Sequence, residues 1–128
     1  MDGKDFSVSD GPLEVAGTRH GTEMTFFLRG ELDLSNVETA SSRLAAVEED
    51  ETLERIVIDL HGLEFIDSTG IEWLIRSMQR PQANSDRLRV TESTRDVQRL
   101  LEITGVSRYL PRLSLDTDTD PPELSRAP

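Results

Sequence analysis

The chain has no cysteine, one lysine and two histidines in 128 residues, and aromatic side chains make up only 5% of it. Without cysteine, disulfides and thiolate metal sites are excluded. The only lysine, Lys4, lies near the N-terminus. That rules out lysine catalysis in the core, and with it a phosphoacceptor receiver domain, which needs a lysine at a strand end. His20 and His61 are the only imidazoles that a hydrolase could use as a base. One falls in an expected hairpin turn and the other at an expected strand end, and both positions suit solvated loop histidines. No apolar stretch approaches the roughly 20 residues that span a bilayer, and Met1 to Pro12 lacks a signal-peptide pattern. A cytoplasmic protein with no membrane partner is expected. Positive charge is also scarce: 14 basic residues face 25 acidic ones, a net charge of −11. Such a balance opposes binding to nucleic-acid phosphates.

By length the chain is one domain, large enough to bury a single core. Its ends differ from its middle. Residues 1–11 and 116–128 are rich in acids, Gly and Pro and poor in apolar side chains, so they read as a disordered head and an acidic, proline-containing disordered tail around a domain at 12–115. Asp116-Thr117-Asp118-Thr119-Asp120 imitates the start of a calcium loop. However, Pro121 stands where that loop needs glycine and Ala127 where it needs glutamate, so no metal is expected.

Between the ends, Leu13 and Val15 indicate a first strand. Gly21 marks a turn into Thr22 to Leu32, where Met24, Phe26 and Leu28 alternate with other residues, and the two segments read as a hairpin. Ser35 followed by Glu38 is a capping box opening a helix with Val37, Ala40, Leu44 and Val47 on one face. Ile56-Val57-Ile58-Asp59-Leu60 is a β-branched run suited to a strand covered on both faces. After a second helix stopped by Pro81, Leu88 and Val90 mark another strand. A third helix opens near Ser93 or Thr94, carries Val97, Leu100, Leu101 and Thr104 on one face, and ends at Gly105. Leu110, Leu113 and Leu115 suit a short final strand or turn. A hairpin followed by alternating helices and strands predicts an α/β layer structure with a partly parallel sheet.

The chemistry concentrates at Phe65-Ile66-Asp67-Ser68-Thr69-Gly70, between a buried strand and a helix whose apolar stripe is Ile71, Leu74, Ile75 and Met78. Thr69 and Glu72 form a second capping box, which makes Thr69 the N-cap and leaves Ser68 just outside the helix, an accessible hydroxyl at the positive end of its dipole. A hydrolase elbow would read G-x-S-x-G, and the first glycine is missing here. What remains is a regulatory hydroxyl or a plain cap. In α/β sheets ligands and partners meet the carboxyl ends of strands. Asp33 and Asp67 both lie at such ends, although strand order, which decides whether they share an edge, is left open.

Gly30-Glu31-Leu32-Asp33, Val57-Ile58-Asp59-Leu60, Phe65-Ile66-Asp67-Ser68-Thr69-Gly70-Ile71 and Val97 to Gly105 resemble, in order and spacing, the STAS domain of bacterial anti-sigma factor antagonists. The resemblance runs from about Leu13 to Leu115. It implies the STAS fold, a mixed four- or five-stranded sheet with helices packed against it, and a protein that is not an enzyme and holds no cofactor. It further implies binding to an anti-sigma factor with serine kinase activity, release on phosphorylation of Ser68 (Thr69 being the alternative acceptor), and reversal by a metal-dependent serine phosphatase. Asp33 and Asp67 flank the phosphoacceptor in such proteins, and Ser35 and Asn36 match the adjoining docking surface. With Thr69, Gly70 and Trp73 these form the expected partner-binding set, Trp73 being either an anchor for the partner or a packing residue. A homodimer is compatible with this picture. An alternative role is a STAS scaffold or accessory subunit of a signalling or lipid-transport assembly, with Ser68 and Thr69 structural. Two departures stand out: Pro81 to Asp86 replaces a glycine-containing turn, and a final alanine-rich helix is absent.

Overall fold

The computed structural model describes residues 5–79, 87–91, 93–103 and 105. The described elements run in the order β1 (Phe6–Asp10), β2 (Leu13–His20), β3 (Glu23–Leu32), α1 (Val37–Glu48), β4 (Arg55–Asp59), β5 (Leu63–Ile66), α2 (Ser68–Gln79), β6 (Leu88–Val90) and α3 (Arg95–Ile103). The α/β class and the mixed sheet are as expected, with six strands rather than four or five.

The sheet order is β1-β2-β3-β4-β6. β1, β2 and β3 are antiparallel, and β4 runs parallel to both β3 and β6. The long strand β3 organises the rest. β2 pairs along one flank of it, while on the other flank β4 takes Glu23 to Phe27 and β5 takes Gly30 to Leu32. Met24, Phe26 and Leu28 join Ile56, Ile58, Leu88 and Val90 in the main core. The expected helical stripes fill that same core, with Ala40, Leu44 and Val47 from α1, Ile71 and Leu74 from α2, and Val97 and Leu101 from α3. Alternation along the strands and 3.6-residue periodicity along the helices thus aim at one layer between them.

Two strands depart from expectation. Phe6–Asp10, read as part of a disordered head, pairs with β2 as an edge strand. Its five residues still alternate, with Phe6 and Val8 packed against the core and Ser7 and Ser9 exposed. Gly17 makes room for it, since a Cβ there would collide with the Phe6 ring. Secondly, the strand before Asp67 is not the central run. The chain leaves β4 at Asp59, turns through His61 and Gly62, and forms β5 as a separate short strand. Of the two histidines, His20 is exposed at the hairpin turn and His61 is exposed beside the buried Asp59.

At the far end of the molecule Arg87 closes the C-terminus of α1. Its guanidinium donates to the carbonyl of Glu48, which the helix end leaves without an intrahelical donor, and to those of Asp50 and Leu53 in the turn that follows. Thr94 accepts from the amide of Val97 and caps α3, and Gly105 has the positive φ of a helix terminator, both as expected. The expected stop at Pro81, the Pro81 to Asp86 turn, Thr104 and the final strand near Leu110, Leu113 and Leu115 lie outside the described residues.

Candidate functional site at the ends of β3 and β5

Because β3 and β5 are parallel neighbours, with Leu32 paired to Ile66, the loops that follow them emerge side by side. Asp33 and Asp67 therefore share an edge. The amide of Asp67 continues the ladder to the carbonyl of Leu32 at 3.1 Å. Its carboxylate then does two things: Oδ1 accepts from the amide of Gly70 at 2.9 Å, and Oδ2 accepts from the amide of Leu34 at 3.1 Å. One side chain both caps α2 and clamps the neighbouring loop.

This corrects the expected cap. Asp67 is the N-cap, with its carbonyl accepting the amide of Ile71, and Ser68 is the first residue of the helix instead of lying outside it. An aspartate is at least as good an N-cap as a threonine, and here it sits one residue earlier. Thr69, half-buried, is relieved of that role. Ser68 is exposed, and its hydroxyl makes no hydrogen bond among the described residues. The first-turn amides of a helix have no intrahelical acceptors, so this hydroxyl stands at a positive helix end with its bonding capacity free.

The other loop is tied in the same way. Asp33 Oδ1 accepts from both the hydroxyl and the amide of Ser35, at 2.6 and 3.0 Å, so Ser35 is not the cap of α1. Asn36 occupies the cap position without a side-chain capping bond. Its side chain is 1% exposed and fully engaged, Oδ1 accepting from the amide of Asp33 and Nδ2 donating to the carbonyl of Glu31. Asn36 is an internal brace and offers no docking surface. Gly70 is buried as well: a Cβ there would approach Ile66 Cγ1 to 2.8 Å and Leu32 Cγ to 3.0 Å, so glycine lets α2 stand directly on β3 and β5. Trp73 is half-buried and packs against the core, the second of its two expected roles. Of the expected set, Asp33, Ser35, Asp67, Ser68 and Thr69 come together at one surface, while Asn36 and Gly70 are buried and Trp73 is half-buried against the core.

Sequence reasoning missed two residues at this edge. Leu34 is 73% exposed and Phe65 43% exposed, and with Ile103 they are the large exposed apolar side chains among the described residues. Leu34 directly follows Glu31-Leu32-Asp33 and Phe65 lies within Glu64 to Asp67, and an apolar residue beside these acids was the available signal. Around them Glu31, Glu64 and Glu72 are exposed, and Glu72 is paired with Arg76 at 2.9 Å. Among the described residues no group of acids and histidines is arranged to hold a metal ion, and no described helix is long and apolar enough to cross a membrane.

This architecture has solved counterparts. An anti-sigma factor antagonist from Mycobacterium paratuberculosis is similar with a TM-score of 0.69 at 20% identity, over 81% of this chain and 87% of that one. The anti-sigma factor antagonist SpoIIAA in its unphosphorylated form is similar at 0.61 and 18%, over 80% and 88%. The Bacillus cell fate determinant SpoIIAA in the phosphorylated form follows at 0.57 and 17%, over 80% and 91%. At these identities the likeness is one of fold. No functionally curated protein matches the sequence. The sequence pattern of the STAS domain, however, matches residues 15–119, taking in nearly all of β2, every later strand, all three described helices and both loops of the site, and reaching past Leu115 into the acidic tail. The chain belongs to the STAS domain family.

Proposed function

We propose that this protein is an anti-sigma factor antagonist that docks through the ends of β3 and β5 in its unmodified form and is released by phosphorylation of Ser68. The observation that carries the reading is the division of labour at the junction. Asp67 holds the helix cap and the neighbouring loop, which leaves the adjacent Ser68 hydroxyl exposed and outside the bonds of the fold. A residue needed for the cap would be a poor switch, because modifying it would disturb the helix. A phosphate on Ser68 would instead find free amides and a favourable dipole, so the fold would survive. It would add a charge of roughly −1.5 to −2. A neutral hydroxyl costs little to bury against a partner, whereas a dianion must lose its water and find paired cations.

The similar SpoIIAA is known in unphosphorylated and phosphorylated forms, which fits a fold that tolerates the modification. On this reading the partner is an anti-sigma factor with serine kinase activity that brings its own ATP, and a metal-dependent phosphatase restores the hydroxyl. The protein then regulates sigma-factor-dependent transcription by occupying the anti-sigma factor, without catalysing a reaction itself. Thr69, half-buried, is less available as the acceptor.

The test is an affinity capture from the native cell with wild-type chain and Ser68→Asp as bait. Retention of an anti-sigma factor by wild type and its loss with Ser68→Asp is the expected result. Recovery of transporter or scaffold components, equally with both baits, would replace this reading with that of a structural STAS subunit.

A further inference from the structure

Trp73, either an anchor or a packing residue on the sequence alone, is half-buried and packed against the core, so the surface needs another source of binding energy. Interface energy is concentrated in a few apolar side chains that fill pockets on the partner, ringed by polar groups that exclude water. Leu34 and Phe65 have this disposition. They are two of the three large exposed apolar side chains among the described residues. Both belong to this edge: the amide of Leu34 is bonded to Asp67, and Phe65 is paired with Glu31 and lies two residues before Asp67. Exposed apolar residues scattered singly need no explanation. Two of them at the adjacent ends of β3 and β5, in the segments that carry Asp33 and Ser68, stand apart from such scatter.

Resting on the docking reading above, we infer that Leu34 and Phe65 are the apolar anchors of the interface and straddle Ser68, and that the anti-sigma factor presents two apolar recesses flanked by basic side chains. The basic flank follows from the exposed carboxylates of Glu31 and Glu64 beside the two anchors. The site's own aspartates are already engaged: Asp33 and Asp67 each accept two hydrogen bonds from within the chain. They shape the loops and leave recognition to their neighbours. The arrangement also accounts for the sensitivity of docking to one phosphate. Seating both anchors brings the partner over Ser68, so a dianion there must be desolvated at the centre of the contact and cannot be accommodated at its rim.

The experiment places the photo-crosslinking residue p-benzoylphenylalanine at position 34, 65 or 72 of the full chain in its native cell, and identifies the adducts by mass spectrometry. Position 72 serves as a reference near Ser68 that is not an anchor. Adducts of positions 34 and 65 with one and the same kinase-type anti-sigma factor are expected, and both should disappear when Ser68→Asp is introduced. That anti-sigma factor, purified, should bind Leu34→Ser and Phe65→Ser each at least about tenfold more weakly than wild type. The melting temperature of Leu34→Ser should be unchanged. Capture of the kinase from position 72 but from neither 34 nor 65, or undiminished affinity of both serine variants, would overturn the anchors and leave the docking reading standing. Adducts with a second copy of this chain would assign the patch to self-association and overturn the inference. Absence of any kinase adduct at all three positions would overturn both.

Discussion

At the scale of single residues, the assignment of roles around Ser68 is open to direct measurement. Asp67 accepts from the amides of Gly70 and Leu34. Its replacement by alanine removes a helix cap and a loop clamp, at an expected cost of about 1–2 kcal/mol. Thr69→Ala should change stability by less than about 0.5 kcal/mol, in the range of substitutions that touch no special feature. Urea midpoints for the two variants decide the matter, and a larger loss at Thr69 would return the cap to that residue. The sequence contains the S/T-x-x-E signature twice, at Ser35 and Thr69, and in neither place does that hydroxyl cap the helix. Asp67 occupies the better-placed position one residue upstream, and Asp33 captures the Ser35 hydroxyl. Local pattern identifies a helix start correctly and misassigns the residue that makes it, because the competing acceptors are bound up with tertiary contacts. The same limit explains Asn36. Nothing in its neighbours marks it as buried, and only the fold turns its amide inward.

At the scale of elements, segments with a clear apolar spacing were legible whatever their length. The three described helices and strands β2, β3, β4 and β6 follow from that spacing, although β6 has only three residues. β1 and β5 were hidden by their setting, β1 among the polar residues of the head and β5 close behind β4 with exposed Glu64 and Phe65 at its centre. Missing β5 matters most, since it brings Asp67 beside Asp33. The seating of α2 on β3 and β5 depends on Gly70, whose absent Cβ would press on the fully buried Leu32 and Ile66. Gly70→Ala should therefore cost about 1–3 kcal/mol by overpacking, even though alanine is the better helix former. A thermal melt at or above the wild-type temperature would show that the element yields more easily than its contacts imply. At the opposite pole, the turn after α1 carries a pH dependence. Asp50 is held below the usual carboxylate range, first by the hydroxyl and amide of Thr52 and also by the Arg19 guanidinium at 2.9 Å. A carboxyl more acidic in the fold than in the unfolded chain contributes stability at neutral pH. That contribution is lost as pH falls through the depressed value. Asp50→Asn should accordingly bring the melting temperatures of the two proteins closer together between neutral pH and about pH 2. A gap that stays constant across that range would contradict the assignment.

At the scale of the whole molecule, the fold is a scaffold that sets two loops side by side and holds them still. The parallel pairing of β3 with β5 does the first, and the internal bonds of Asp33, Asn36 and Asp67 do the second. The domain class could be read from the order of hairpin, helices and strands, and the family from the two aspartate-bearing signatures. The proposed docking surface could be read only in part. Its hydroxyl is visible in the chain, while the half-burial of Trp73 and the exposure of Leu34 and Phe65 come from three-dimensional packing. The central claim is that the free hydroxyl of Ser68 acts as the binding switch. Titration calorimetry of wild type, Ser68→Ala and Ser68→Asp against the anti-sigma factor recovered from the native cell tests it most directly. Wild type and Ser68→Ala should bind within a few-fold of each other and Ser68→Asp at least about tenfold more weakly, a difference of about 1.4 kcal/mol or more. Equal affinities for all three would contradict the account.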